Sequence, residues 1–339
     1  MGRYAVRRTL FAIPTLLAIS LIVFAILDFA PGDPTGQLPL TIPAEIRENI
    51  RESLGLNDPF FIKWMKWNQL MFINEPLHFL DSTFGICIGD CEGRDRIISW
   101  SSRAPAMDII GERLPQTLWV LGVSFLLGTI MAIPIGVYSA YKQYSTFDNV
   151  GTFVTMIGYS VPTFFTGLLA IMIFSVWLGW FPSFYKTTHD VSITSWSSIW
   201  FQIKQMIMPV MTLTLFNAAA LSRFARASTL DNLNEEYVRT ARSKGVSETK
   251  VVSVHVMRNS MIPVVTLIAL SIPGIFSGAI ITEQIFRING LGQLLIISIG
   301  QNDIPMVQTL TFIFAVLIVA FNLLADLLYG FLDPRIRYD

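Results

Sequence analysis

The sequence predicts an all-α protein that crosses a membrane several times, and three observations carry that expectation. Hydrophobic residues make up 53% of the 339 positions and charged residues 14%, where soluble domains carry about 25% charged residues. Mean hydropathy is +0.55, and a soluble chain of this length needs far more polar residues to cover its surface. Runs free of Asp, Glu, Lys and Arg recur along the chain, most of them close to the roughly 20 residues that span a bilayer as a helix. This composition excludes an ordinary cytosolic enzyme and a disordered chain, and two cysteines are too few for a disulfide scaffold. The 24 basic and 24 acidic residues cancel, so nothing points to nucleic acid as a partner.

Six runs are expected to span: Thr9–Leu27, Leu114–Tyr141, Asn149–Tyr185, Gln205–Ser222, Asn259–Thr282 and Ile304–Ala325. The first follows Arg3, Arg7 and Arg8, as the core of a signal peptide does. Its apolar run exceeds the usual core of about 7–15 residues, and no small-x-small cleavage site precedes Pro31-Gly32-Asp33-Pro34, so it is read as a retained span. Asn149–Tyr185 contains Gly158, Pro162 and Gly167 without a polar turn, which predicts one long or kinked helix and a wet stretch from Pro182. Basic residues in short connections set the orientation. Arg3, Arg7 and Arg8, then Lys142, then the run from Arg223 to Arg258, then Arg335 and Arg337 all fall on one side of a six-span chain. That side is the cytoplasm, and it holds both termini.

The expected organisation is a tail and first helix over 1–30, an extracytoplasmic insert over 31–113, and a core of five helices over 114–330. The core contains a cytoplasmic segment over 223–258, and a cytoplasmic tail covers 331–339. The insert has helical spacing over Ala44–Leu54 and aromatic residues over Phe60–Phe72, which predict a cap of short helices. Cys87 and Cys91 stand four apart in it. A small disulfide loop, two inert thiols and half a metal site all fit that spacing, although a metal needs more ligands and His78 is the one histidine nearby. In the cytoplasmic segment Leu230, Leu233, Tyr237 and Ala241 form a helical stripe, Gly245 ends it, and a second short helix covers Glu248–Met257. An amphipathic helix so placed either lies at the lipid interface or docks in a groove of a soluble partner. The last outer loop, Glu283 to Leu294, carries two glycines and reads as a turn or as a segment that dips back toward the membrane.

The sequence has no phosphate-binding Gly-x-x-x-x-Gly-Lys-Ser/Thr loop, no His-Glu-x-x-His and no Gly-x-Ser-x-Gly, so ATP binding, metal catalysis and a serine nucleophile are not expected of this chain. Ionisable residues are scarce inside the runs, and Glu283 and Asp326 sit near run ends within reach of water. Ion-coupled pumps keep charged relays at mid-membrane, so any energy is expected from another subunit.

Several short stretches, in order, resemble one family. These are Arg7-Arg8 with Pro14-Thr15-Leu16, Ala30-Pro31-Gly32-Asp33-Pro34, Leu56-Asn57-Asp58-Pro59 and Ser160-Val161-Pro162-Thr163-Phe164, followed by Arg239-Thr240-Ala241-Arg242-Ser243-Lys244-Gly245, Gly290-Leu291-Gly292-Gln293-Leu294 and Asp333-Pro334-Arg335. Together they resemble the B-type permease subunit of dipeptide and oligopeptide ABC importers. In the general permease loop pattern Glu-Ala-Ala-x3-Gly, Arg239 and Thr240 replace Glu and Ala, while Ala241 and Gly245 remain. His255, Met257 and Arg258 stand where the pattern has Ile, Leu and Pro. The resemblance implies six helices of the type I importer kind and a non-catalytic subunit of the plasma (inner) membrane. Its partners would be a second permease, two ATP-binding subunits holding ATP and Mg, an extracytoplasmic binding protein and the bilayer, and the chain itself would hold no cofactor. It implies ATPase coupling through Leu233, Glu236, Tyr237, Arg239, Thr240, Ala241 and Gly245, on a helix Leu230–Lys244 with Tyr237 and Ala241 toward the contact. The path would include Pro162, Asn217 and Ser271. Cargo other than peptides, such as nickel, glutathione or opines, fits the same architecture, and a self-contained transporter or channel is the alternative from another class.

Overall fold

A computed structural model describes residues 2–29, 43–53, 57–89, 93–186 and 195–332. Its helices in chain order are α1 (Gly2–Asp28), α2 (Ala44–Ser53), α3 (Phe60–Gln69), α4 (Glu75–Phe84), α5 (Ala106–Tyr141), α6 (Thr146–Ser160) and α7 (Thr163–Ala170). They continue as α8 (Trp196–Leu233), α9 (Glu236–Ser243), α10 (Glu248–Lys250), α11 (Met257–Phe286), α12 (Leu291–Gly300) and α13 (Ile304–Leu332). Among the described residues, five helical stretches are long and apolar enough to cross a membrane: Val6–Asp28, Ala106–Tyr141, Trp196–Leu233, Glu248–Ile272 and Ile304–Asp326. They belong to α1, α5, α8, the run of α10 into α11, and α13.

The run expected as one kinked helix is two helices. α6 and α7, the latter continued as a π-helix to Trp177, are bent by 104°. Val161 is extended (φ −84°, ψ 125°) because the ring of the following proline disfavours the helical region there. Pro162 then stands at the start of α7, where its missing N–H leaves no helical bond unmade.

Contacts divide the chain into two compact units. The larger comprises Met1–Val6, Gln116–Gln293 and Ile318–Asp339. In it α8 packs on α6, α7 and α11. Small residues of α5 set its close approach to α8: a Cβ on Gly136 would lie 2.5 Å from the Ser222 carbonyl oxygen, and one on Gly128 would lie 3.0 Å from the Asn217 Cβ. Ala132, Ala218, Leu221, Ala225 and Val264 form a buried cluster beside this crossing. Arg226 of α8 holds the buried Asp148 carboxylate with two nitrogens, at 2.6 and 2.8 Å, and Asp148 also accepts from the Tyr144 amide at 2.9 Å.

The smaller unit comprises Arg7–Pro115 and Leu294–Leu317. Residues 60–84 form one continuous helical run, α3 and α4 joined by a π-turn at Leu70–Asn74, ending at Gly85 with φ 65°. The cap expected from the sequence is therefore helical here, and this run packs on α1 and α13: Trp67 meets Phe24 and Phe312, and Lys63 pairs with Asp28. Two buried carboxylates tie down the segment between this run and α5. Glu75 holds Arg96 at 2.8 Å and the Ile97 amide at 3.1 Å. Burial works against the charge on Arg96, but the Asp108 and Glu75 carboxylates outweigh it and hold the guanidinium above its ordinary range. Asp303 caps α13 at the Met306 amide and accepts from the Ser99 and Ser101 hydroxyls and the Trp100 and Ser101 amides.

Candidate functional site

The helix expected over Leu230–Lys244 is broken. α8 ends at Leu233, Asn234 sits at φ −96°, ψ −2°, and Glu235 is extended before α9 begins. Asparagine side chains compete for backbone partners and weaken helices. Here Asn232 and Asn234 turn back to the Ser228 and Leu230 carbonyls, and the Tyr237 hydroxyl donates to the Asn232 Oδ1 at 2.7 Å. The break frees α9 to lie in its own direction.

α9 closes with the bond pair of a left-handed helix end. The Gly245 amide donates to the Arg242 carbonyl at 2.9 Å and the Val246 amide to the Ala241 carbonyl at 3.3 Å, with Gly245 at φ 74°. The chain then re-enters helix through α10 and a π-helical turn, Val251–Val256, that leads into α11. One face of α9 is locked onto that turn: Val238, Ala241, Val251 and Val256 form a buried cluster, flanked by Leu233, Tyr237 and Val246.

Tyr237 and Ala241, expected to face a partner, thus pack against the chain's own interior. The outward face holds Glu236, Arg239, Thr240 and Ser243, all exposed. Arg239 pairs with Glu236 at 2.8 Å, and Arg242 pairs with Glu248 across the turn at 2.7 Å. The Glu248 carboxylate holds the Arg242 guanidinium above its ordinary range, against a smaller desolvation. An apolar inner face fastened to the root of a membrane helix and a polar outer face is an arrangement that can pass a push on α9 into α11.

Pro162 stands just before α7, Asn217 on α8 and Ser271 on α11, and these three helices pack on one another. Pro162 is exposed and Asn217 half-buried, and the Ser271 hydroxyl donates to its own helix at the Leu267 carbonyl. Cys91 lies outside the described residues, and Cys87 is no free thiol. Among the described residues no group of three His, Cys, Asp or Glu is arranged to hold a metal.

Sequence reasoning missed Glu283. It does not reach water but is 1% exposed. Its carboxylate accepts from the Thr117 hydroxyl at 2.7 Å, the Gly292 amide at 2.7 Å and the Gln293 amide at 3.1 Å, while Thr117 also accepts from the Leu291 amide at 2.8 Å. The two glycines are the legible trace of this. A Cβ on Gly290 would strike the Glu283 carboxylate, and one on Gly292 would lie 2.5 Å from the Ile280 Cα. The loop folds back as the capped start of α12.

The chain belongs to the family of binding-protein-dependent transport system inner membrane components, whose model matches residues 132–338; a second model, for the N-terminal part of such components, matches residues 1–121. It is similar over its whole length to the oligopeptide transport system permease protein AppB of Bacillus subtilis (strain 168), with 39% identity over 339 residues and 100% of both chains covered. It is 34% identical to the glutathione transport system permease protein GsiC of Escherichia coli (strain K12) and 35% identical to a putative peptide transport system permease protein of Brucella abortus (strain 2308), again with 100% of each chain covered. An inward-facing structure of the MetNI methionine ABC transporter shares the fold, with a TM-score of 0.52 at 16% identity, covering 67% of this chain and 97% of that one. The protein is a multi-pass membrane permease of an ABC transport system.

Proposed function

We propose that this chain is one permease half of an ATP-driven importer of di- or oligopeptides, working by alternating access. Full-length similarity to oligopeptide and peptide permeases supports the cargo. Glutathione, itself a modified tripeptide, is the second reading, supported by 34% identity to a glutathione permease over the whole chain. A second permease, two ATPases holding ATP and Mg, and an extracytoplasmic binding protein complete the assembly. The chain itself is non-catalytic and holds no cofactor. Both termini face the cytoplasm, in keeping with the basic residues on that side.

The observation that carries the mechanism is α9, fixed by Val238 and Ala241 to the root of α11 and polar outside. Its exposed face, with Glu236, Arg239 and Thr240, seats in a cleft of an ATPase subunit. Leu233, Tyr237, Ala241 and Gly245 act behind it, as the packing and the turn that make the helix rigid. Closure of the ATPases on ATP swings α9, α11 moves with it, and the path near Pro162, Asn217 and Ser271 changes its open side. Cys87 and Cys91 close a small disulfide loop on the outer side.

In the assembled transporter, a Thr240→Cys variant is expected to cross-link to an engineered cysteine on the ATPase, and Gly245→Trp is expected to abolish ATP-driven uptake while assembly persists. Uptake unchanged in Gly245→Trp, or labelling of Thr240→Cys from outside the cell, refutes the docking role.

A further inference from the structure

We propose that the face of the α3–α4 run turned away from α1 and α13 lies in lipid, in the leaflet that meets the Asp28 end of α1, and is not part of an aqueous cap. The proposal needs only that α1 and α13 are membrane spans and is independent of the cargo.

The depth of the run is set by its partners. Phe60 stacks on Phe29, with centroids 5.8 Å apart, near the end of α1. Four residues on, the Trp64 indole donates to the Ser20 hydroxyl at 3.3 Å, and Ser20 in turn donates to Asn68 at 3.2 Å. Ser20 stands eight residues before Asp28, about 12 Å along the axis at about 1.5 Å per residue. Trp67 and Phe72 each meet the Phe312 ring with centroids 5.3 Å apart. Phe312 stands eight residues beyond Ile304, again about 12 Å from its helix end. Two independent spans therefore place the middle of the run well inside the apolar layer.

The opposite face has the chemistry of that layer. Over 60–74 this face exposes Phe61, Ile62, Met65 and Ile73, with Lys66 and Gln69 as the polar exceptions, while Phe72 lies at its edge beside Phe312. Phe61 and Met65 are each 66% exposed. Lys66 extends its stem toward Asp58, 2.6 Å away at the start of the run, as a lysine does when it reaches out of an apolar layer. The face adjoins α1, which is long and apolar enough to span and exposes Ile22 and Ile26. An apolar face of this size in water marks a binding surface, and here the bilayer is the partner that depth and continuity select.

The test uses the complete transporter reconstituted in phosphatidylcholine vesicles. A bimane label is placed on Met65→Cys or Ile73→Cys and, as the aqueous reference, on Glu45→Cys of α2. The parent with its two native cysteines serves as the labelling blank. Acyl-chain-brominated phosphatidylcholine is expected to quench the labels at 65 and 73 and spare the one at 45, and iodide in the water is expected to do the reverse. Iodide quenching at 65 and 73 as strong as at 45 overturns the proposal in favour of an aqueous surface. Resistance of both labels to both quenchers overturns it in favour of a protein subunit covering the face. Should Met65→Cys fail to assemble, Phe61→Cys makes the same measurement.

Discussion

Replacing Glu283 separates a structural carboxylate from one that works by its charge. In Glu283→Ala the acceptor of three donors disappears from a site that is 1% exposed. The Thr117 hydroxyl can rotate to a carbonyl, but the Gly292 and Gln293 amides are fixed by the start of α12 and lose their partner. A buried donor left unsatisfied costs about 1–3 kcal/mol, so the two amides together cost about 2–6 kcal/mol, before any penalty for the vacated volume. Glu283→Gln differs. Its amide oxygen can face the two backbone N–H groups, and its NH2 group can donate to the Thr117 oxygen, which has a lone pair left after accepting from Leu291. The expected cost is below about 1 kcal/mol, because a neutral acceptor is cheaper to bury than a charged one. The assay is thermal inactivation of the detergent-solubilised complex, monitored by size-exclusion of a fluorescently tagged chain, together with uptake in vesicles. The alanine variant should lose the folded peak at a markedly lower temperature, and the glutamine variant should keep both stability and uptake. A stable alanine variant refutes the clamp. A stable glutamine variant without uptake refutes the purely structural role.

Other sites yield sharper contrasts. Removing one member of the Asp148–Arg226 pair, by Arg226→Ala or Asp148→Ala, should cost about 3–5 kcal/mol because the survivor is left charged without its partner; the exchanged pair Asp148→Arg with Arg226→Asp should recover part of the loss in the same thermal assay. Gly136→Val should abolish accumulation of the folded chain, since even its Cβ would meet the Ser222 carbonyl oxygen at 2.5 Å, whereas Gly111→Ala, with open space around it, should be neutral in the same expression test. Val238→Ala should loosen α9 from the α11 root at about 1.6 kcal/mol for two lost carbons and show as faster amide exchange over 236–243, with the spans unaffected. Unchanged exchange there refutes the inner-face packing.

The long apolar runs were legible because a bilayer leaves the sequence little choice: a span must be apolar over its length. For the same reason hydropathy could not see packing. Val161–Pro162 breaks α6 from α7 by a dihedral choice at one peptide unit, and an apolar run looks the same whether a helix kinks or turns through 104°. The stripe Leu230, Leu233, Tyr237 and Ala241 was read as one helix, yet it runs across a break at Asn234 that only the two asparagines signal, and Leu233, Tyr237 and Ala241 pack inward. Its direction was misread because spacing shows that a face is apolar without showing what it meets; Val251 and Val256, which cover Ala241, come from the next helix. Glu283 was misplaced because a carboxylate near a span end normally reaches water, and its burial depends on Thr117, 166 residues away.

The buried carboxylates also bear on the choice between transporter classes. A chain that moves cargo by ion coupling needs an acid free to gain and lose a proton or a cation along its path. Among the described residues, Glu75, Asp148, Glu283 and Asp303 are the acids that burial makes candidates, since each is less than 5% exposed. Each is engaged by donors of its own unit: Arg96 and the Ile97 amide, Arg226 and the Tyr144 amide, Thr117 with two loop amides, and the serine turn at 99–101. Several of those donors are backbone N–H groups, which cannot move away without unmaking the turn or helix end they belong to. Such acids join segments far apart in sequence and keep each unit stiff. Stiffness is what the proposed coupling requires, because a push delivered at α9 would be useful only if the helices behind it moved instead of yielding.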